Sequence, residues 1–290
     1  MALRQHLARL WRRGDEGPAR SAEVRGLLDR IKKVEADIAR RTVYLGDHEA
    51  LTRLTTGQKL YVDTRDASIA AHLMIDGCWE PWIASVIAER VKPGMRVADI
   101  GANFGYYAVT MGSAVGPTGR VWAVEVNPRM TALLRKSLRV NGLERWTSVV
   151  ESAAWDRRET LEIVVNDAYS GGGRVRRRVG DGKGRMSVEA VPLDDVFEPP
   201  LQFIKIDVEG AEERALKGLA RVIDASGPMA IVMEYFHRGF PEPAAFFADF
   251  ARRGFRARVI HPRGLGADRA PEALVAELGE QLGYVLLERG

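Results

Sequence analysis

The run Val97-Ala-Asp-Ile-Gly-Ala-Asn-Phe-Gly105 joins an apolar, β-branched entry to a turn carrying Gly101 and Gly105, and a helical pattern follows from Tyr106. That is a strand feeding a tight loop into a helix, and a missing Cβ in such a loop lets the backbone approach a ligand closely. A dinucleotide fingerprint needs Gly-x-Gly-x-x-Gly, with the second glycine against a pyrophosphate. Here that position is Asn103, and Asp99 at the strand end would repel a phosphate. A ligand carrying an amino group and a sulfonium cation would instead be attracted, so the loop favours S-adenosylmethionine over a dinucleotide.

In open α/β sheets the ligand sits beyond the carboxyl ends of the strands. Glu125 ends the second strand, where an acidic side chain can accept both hydroxyls of a ribose. Ser152 and Ala153 follow the third strand and offer groups to an adenine edge. Asp156 either holds the exocyclic amine or serves as a turn or helix-cap aspartate. In Phe203-Ile-Lys-Ile-Asp-Val-Glu-Gly-Ala-Glu212, the residues Lys205, Asp207 and Glu209 project to one face while the chain stays extended. A lysine in an otherwise apolar strand needs a partner for its charge, and Asp207 is the obvious one. The pair either orders the strand end or sets Asp207 beside a transferred methyl group, as base, metal ligand or holder of substrate hydroxyls. Glu234 and His237 end strand five on the same rim, and an imidazole can take a proton at neutral pH. The candidate catalytic residues are therefore Asp207, His237 and Lys205, with no metal set specified.

These residues need a scaffold of alternating strands and helices. The expected parallel strands are 96–100, 120–126, 148–153, 202–207 and 229–235, with helices over 106–113, 130–141 and 244–253. Closing strands are expected at 256–260 and 283–287. Repeated strand–helix units imply a parallel sheet with helices on both faces. Residues 160–191 break the rhythm, with strands at Leu161–Val165 and Met186–Val191 joined by a glycine- and arginine-rich tip that contains Arg174–Arg178. This reads as a β-hairpin insertion. Upstream, Lys59–Asp63 alternates as a half-buried strand, in a small hairpin turned at Thr56-Gly57. Residues 69–91 read as helix interrupted near Gly77 and Pro81. His72, Asp76, Trp79, Glu80 and Trp82 there either line a pocket or cover a sheet edge.

The chain has 290 residues, 46% hydrophobic and 28% charged, with Lys plus Arg exceeding Asp plus Glu by only 43 to 39. Local basic patches therefore matter more than net charge. The single cysteine, Cys78, excludes an internal disulfide framework and a cysteine-rich zinc site. No apolar run of about 18 residues exists to span a membrane, and the first residues lack a signal-peptide core, which together point to the cytoplasm. Leu3, Leu7, Leu10 and Trp11 fall at helical spacing among arginines, giving residues 1–13 either a weak peripheral contact with anionic lipid or no special purpose. A second helix over 21–41 either pairs two subunits or packs on the core. The expected division is an N-terminal helical extension, 1–55, and a catalytic domain, 56–290.

Taken together, these segments resemble the FkbM-type S-adenosylmethionine-dependent methyltransferases. The resemblance rests on Val97–Tyr107, Ala123-Val-Glu-Val-Asn-Pro128, Leu193-Asp-Asp195 and above all Phe203–Glu212. It implies a class I methyltransferase (Rossmann-like) sheet, mostly parallel with an antiparallel last strand. It also implies S-adenosyl-L-methionine held by Asp99, Gly101, Asn103, Gly105 and Glu125, with Asp207 nearest the reacting centre. The activity implied is O-methylation of a sugar, glycan or polyketide-like hydroxyl. A hydroxyl needs a base such as His237 or Asp207, or a divalent ion such as magnesium on carboxylates such as Asp207 and Glu234. No nucleic-acid partner is expected. The alternatives are a nucleic-acid methyltransferase, supported only by Arg174–Arg178, and a non-catalytic cofactor-binding partner in a glycan-assembly complex. A nucleic-acid enzyme would be expected to carry a motif for a flipped base, which this sequence lacks.

Overall fold

Long runs of Val, Ile, Leu and Ala bounded by charged or turn residues produce the central strands. The computed structural model describes residues 25–31, 42–165, 168, 174–175 and 185–290. The chain divides into two units, Met1–Val43 and Tyr44–Gly290. In the first unit residues 25–31 are helical. The expected helix of 1–13 and the remainder of the 21–41 helix lie outside the described residues, as do Arg176–Arg178.

The sheet-forming segments begin with β1 (Thr42–Gly46), β2 (Glu49–Arg53) and β3 (Lys59–Asp63), a three-stranded sheet in that order. The expected hairpin is its β2–β3 pair, antiparallel from Glu49↔Asp63 to Arg53↔Lys59. Helices α1 (Ile69–Ile75) and α2 (Pro81–Arg90) follow. The alternating part then runs β4 (Arg96–Ile100), α3 (Tyr106–Val115), β5 (Arg120–Val124), α4 (Pro128–Val140) and β6 (Thr147–Val150). Next come β7 (Ala153–Ala154), β8 (Glu159–Val164), β9 (Arg174–Val175) and β10 (Arg185–Val191). The chain continues through β11 (Phe203–Ile206), α5 (Glu212–Lys217), α6 (Ala220–Ala225), β12 (Met229–Tyr235) and α7 (Pro243–Arg252). It closes with β13 (Arg256–His261), β14 (Gly264–Leu265), α8 (Pro271–Leu278) and β15 (Gly283–Arg289).

The main sheet has the order β14-β13-β15-β12-β11-β4-β5-β6. Strands β12, β11, β4, β5 and β6 run parallel, and β15 inserts antiparallel to both β12 and β13. This is the class I methyltransferase sheet, with the antiparallel last strand that the family resemblance implied. Successive residues of one strand enter opposite cores: Phe203 packs with Leu134 and Tyr107 on one face, and Ile204 with Leu216 and Phe247 on the other. Both faces are covered, which is why these strands read as continuous apolar runs rather than alternating ones.

One expectation is corrected. The third strand, expected over 148–153, leaves the sheet after Val150. Ala153 and Ala154 instead pair parallel with Ala190 and Val191, in a separate sheet of order β7-β10-β8-β9. Strand β6 is the outer strand of the main sheet, so nothing beyond it holds the chain, whereas β10 offers free backbone partners. The rest of the insertion is the expected hairpin, β8 against β10 from Glu159↔Ala190 to Val164↔Arg185.

Buried Asp63 ties the small sheet to the main one. Its carboxylate accepts from Arg65 Nη2 at 2.7 Å and from Arg129 Nε at the start of α4. Although burial opposes its charge, bonds from these guanidiniums hold its carboxyl well below the usual carboxylate range. A depressed folded value means that this stability is present above the unfolded pKa of about 4 and is lost as pH falls below it. Asp63→Asn should therefore cost about 1–2 kcal/mol at pH 7, the guanidiniums being partly screened by solvent. In urea unfolding the difference from wild type should shrink steadily below about pH 4.

Candidate active site

The loop after β4 turns over the end of β11 because Gly101 has φ +84° and no side chain. A Cβ there would lie 1.8 Å from the Asp207 carbonyl oxygen. That close approach opens a cavity of about 280 Å³ along the carboxyl ends of β4, β5, β6, β11 and β12. Of the residues singled out from the sequence, Gly101, Asn103, Glu125, Ser152, Ala153, Lys205 and Asp207 lie on its wall.

Glu125 leaves β5 with its carboxylate folded onto backbone. It accepts from the N–H groups of Asn103 at 2.8 Å, Val126 at 3.0 Å and Asn127 at 2.8 Å. These bonds organise the turn into α4, whose cap is Asn127 accepting from the Arg129 N–H at 3.0 Å. Ser152, reached after β6, is buried, and its hydroxyl finds no hydrogen-bond partner among the described residues.

Lys205 is buried mid-sheet, with its ammonium 3.1 Å from Asp207 Oδ2 and 4.9 Å from the centre of the Tyr107 ring. Burial works against its charge. The Asp207, Asp99 and Glu80 carboxylates outweigh it and hold the ammonium above the ordinary lysine range. After Asp207 the chain adopts left-handed conformations at Glu209, φ +55°, and Gly210, φ +93°. Glu212 fixes that turn by accepting from the N–H groups of Val208 at 2.9 Å and Gly210 at 3.2 Å, while burial pushes its own carboxyl up to about 7. Glu234 ends β12 beside them. Burial, with the Asp207, Glu212 and Glu209 carboxylates adding to it, pushes Glu234 up to about 10.

Several singled-out residues lie elsewhere, Asp99, Gly105, His237 and Asp156 among them. Asp99 has no exposed surface and is not on the cavity wall, and burial pushes it up to about 6. Gly105 sits behind the wall against α4, where a Cβ would be 2.4 Å from Leu134 Cδ1. His237 is in the turn after β12, off the wall, with Nδ1 2.9 Å from the Tyr235 hydroxyl. Asp156 is paired with Arg214 at 2.6 Å.

Glu80 has a position that sequence reasoning left open. Cap residue of α2 at φ +42°, it accepts from the hydroxyls of Tyr107, at 3.0 Å, and Tyr284. Trp79, Glu80, Tyr107 and Tyr284 all line the cavity. The one local signal was Trp79-Glu80 immediately before the helix-starting Pro81. Nothing in the spacing joins Glu80 to Tyr284 on the last strand.

Comparison with known proteins matches residues 99–257 to the family described as the methyltransferase FkbM domain. The ubiquinone/menaquinone biosynthesis C-methyltransferase UbiE of Burkholderia cenocepacia is 38% identical over 72 residues, 24% of this chain and 30% of that enzyme. The protein-L-isoaspartate O-methyltransferase of Methanopyrus kandleri is 32% identical over 72 residues, 24% of this chain and 32% of that enzyme. The chain thus spans about a third of the length of these curated relatives. Among solved structures, the methyltransferase FkbM from Methylobacillus flagellatus KT is 17% identical, covering 74% of this chain and 52% of that one, with a TM-score of 0.43. Since the family match spans more than half of its residues, the chain belongs to the FkbM-domain methyltransferases.

Proposed function

We propose that this protein transfers a methyl group from S-adenosylmethionine to a hydroxyl of a sugar, glycan or polyketide-like acceptor, with Asp207 at the reacting centre. The observation that carries the reading is the Lys205–Asp207 pair, 3.1 Å apart, on the wall of the same cavity as the Glu125 carboxylate. The residues fit the cofactor: Gly101 lets the loop lie against the Asp207 carbonyl where a Cβ would clash, and the Ser152 hydroxyl is buried without a hydrogen-bond partner among the described residues. Gly101, Asn103, Glu125, Ser152 and Ala153 would hold it, with Asp99 and Gly105 supporting the loop from behind.

Bound there, the cofactor supplies an electrophilic methyl group on a sulfonium. The protein's own task is to align an acceptor oxygen and remove its proton. Asp207 accepts a hydrogen bond from the acceptor hydroxyl and takes the proton as that oxygen is alkylated. Lys205 holds the carboxylate in place. His237, off the cavity wall and engaged with Tyr235, takes no part in this reading.

A second reading adds a divalent ion such as magnesium to the same centre. Asp207, Glu209 and Glu234 each bring a carboxylate oxygen within 4.8 Å of the others, and Glu234 Oε2 is buried without a partner among the described residues. Such an ion would displace the Glu234 proton and orient the acceptor oxygen.

Calorimetric titration with S-adenosylhomocysteine tests the cofactor site. Wild type should bind at micromolar concentrations and Glu125→Gln at least tenfold more weakly; equal affinities would remove Glu125 from the site. A radiolabelled methyl-transfer screen over sugars, glycolipids and RNA then separates the acceptor classes, and a product on RNA alone would overturn the hydroxyl-bearing metabolite.

For the ion, magnesium should raise the melting temperature of wild type and leave that of Glu234→Gln unchanged; equal shifts would exclude Glu234 as a ligand. In EDTA the raised folded pKa has a defined sign. Wild type keeps the Glu234 proton while the unfolded chain releases it, so relative to Glu234→Gln wild type should lose stability as pH rises from about 4.5 towards about 10. The slope is at most about 1.4 kcal/mol per pH unit, read from urea unfolding at pH 5, 7 and 9.

A further inference from the structure

Along the rim of the sheet, the strand ends occur in the order Glu234 on β12, Asp207 after β11, Gly101 after β4, Glu125 after β5 and Ser152 after β6. Neighbouring strands are about 4.8 Å apart, so the reacting centre and the β6 end lie roughly 15–20 Å from one another. An extended cofactor whose ribose meets Glu125 and whose sulfonium faces Asp207 must therefore send its base towards β6.

The insertion begins at that end. Ala153 and Ala154, immediately after Ser152, pair with Ala190 and Val191 of β10, and the Trp155 N–H donates to the Val191 carbonyl at 3.0 Å. The chain thus passes from the main sheet into the second one where the cavity ends. Ile163 on β8 and Val165 just beyond it are on the cavity wall, and both pack with Trp155 in a small apolar core. Val126 and Val208, from the loops after β5 and β11, lie against the same core and also face the cavity. The indole of Trp155 is fixed by donating to Glu159 and by the Arg214 guanidinium 4.9 Å over its ring. The only polar side chain buried at this end without a partner among the described residues and on the wall is the Ser152 hydroxyl.

We propose that the insertion is part of the cofactor site: Ile163 and Val165 form one wall of the adenine subsite, facing Val126 across it, with the Ser152 hydroxyl at its polar edge. This rests on the S-adenosylmethionine reading above. It assigns the hairpin to gripping the base. An apolar slot closed on two sides removes the base from water, and the hairpin supplies the side that the main sheet lacks beyond its outermost strand.

The probes are S-adenosylhomocysteine and 5′-methylthioadenosine, which share the adenosine half. Val165→Asp and Ile163→Ala should weaken both by at least fivefold and by the same factor, and Val165→Ile should restore wild-type affinity. Circular dichroism and melting temperature verify that the variants are folded. In wild type, 5′-methylthioadenosine should slow backbone hydrogen exchange over 159–165 and change the fluorescence lost in Trp155→Phe. If wild type binds S-adenosylhomocysteine but folded variants bind within twofold of it and exchange over 159–165 is unchanged, the insertion is not in the adenine subsite and the cofactor reading stands. If wild type binds neither probe, both readings are overturned.

Discussion

The site depends on keeping one ammonium charged inside a sheet. Lys205 stands in a strand whose other residues are apolar and buried on both sides, and its own side chain is almost wholly buried. Its charge survives only because carboxylates from three separate segments surround it: Asp207 at its own strand end, Asp99 on the neighbouring strand in direct register, and Glu80 before α2. Removing any one would leave either a buried cation short of partners or a buried anion crowded by its like. Burial, with the Asp207, Glu212 and Glu209 carboxylates adding to it, leads Glu234 to keep its proton at neutral pH.

Backbone geometry serves that arrangement. Asp207 can stand at the rim because its carbonyl passes over Gly101 at a distance that admits no side chain, and because Glu212 captures the two N–H groups of the following turn. On the other side, Glu125 uses its carboxylate to hold three N–H groups together, so the residue expected to meet a ribose also shapes the loop that presents it. The small sheet contributes from outside: Asp63 reaches Arg129, next to the cap of α4, and braces the helix start directly below that loop.

Much of this was legible in the sequence because it is local. Strands 96–100 and 229–235 appear at the boundaries expected, since apolar runs between turn residues leave little freedom. The clustering of Lys205 and Asp207 followed from strand alternation alone. What was not legible depends on pairing between distant segments. Ser148–Ala153 has the composition of one strand, and only the free edge of β10 explains why it splits after Val150. Asp99 reads as a ligand contact from its place in the loop motif, yet its depth below the wall is set by the neighbouring strands. Glu80 was visible only as a polar residue in a mixed helix, because its tyrosine partners come from α3 and from the last strand.

The antiparallel insertion of β15 has a consequence for how the cavity comes into being. Tyr284 reaches the site from a strand that lies between β12 and β13, although it follows both along the chain. As the polypeptide leaves the ribosome, β4, β5, β6, β11 and β12 can assemble with the cofactor loop complete, but Glu80 has only one of its two tyrosines. The gap between β12 and β13 must stay open until residues 283–289 arrive to fill it. The part of the cavity wall formed by Glu80 and Tyr284 is therefore the last to be completed along the chain.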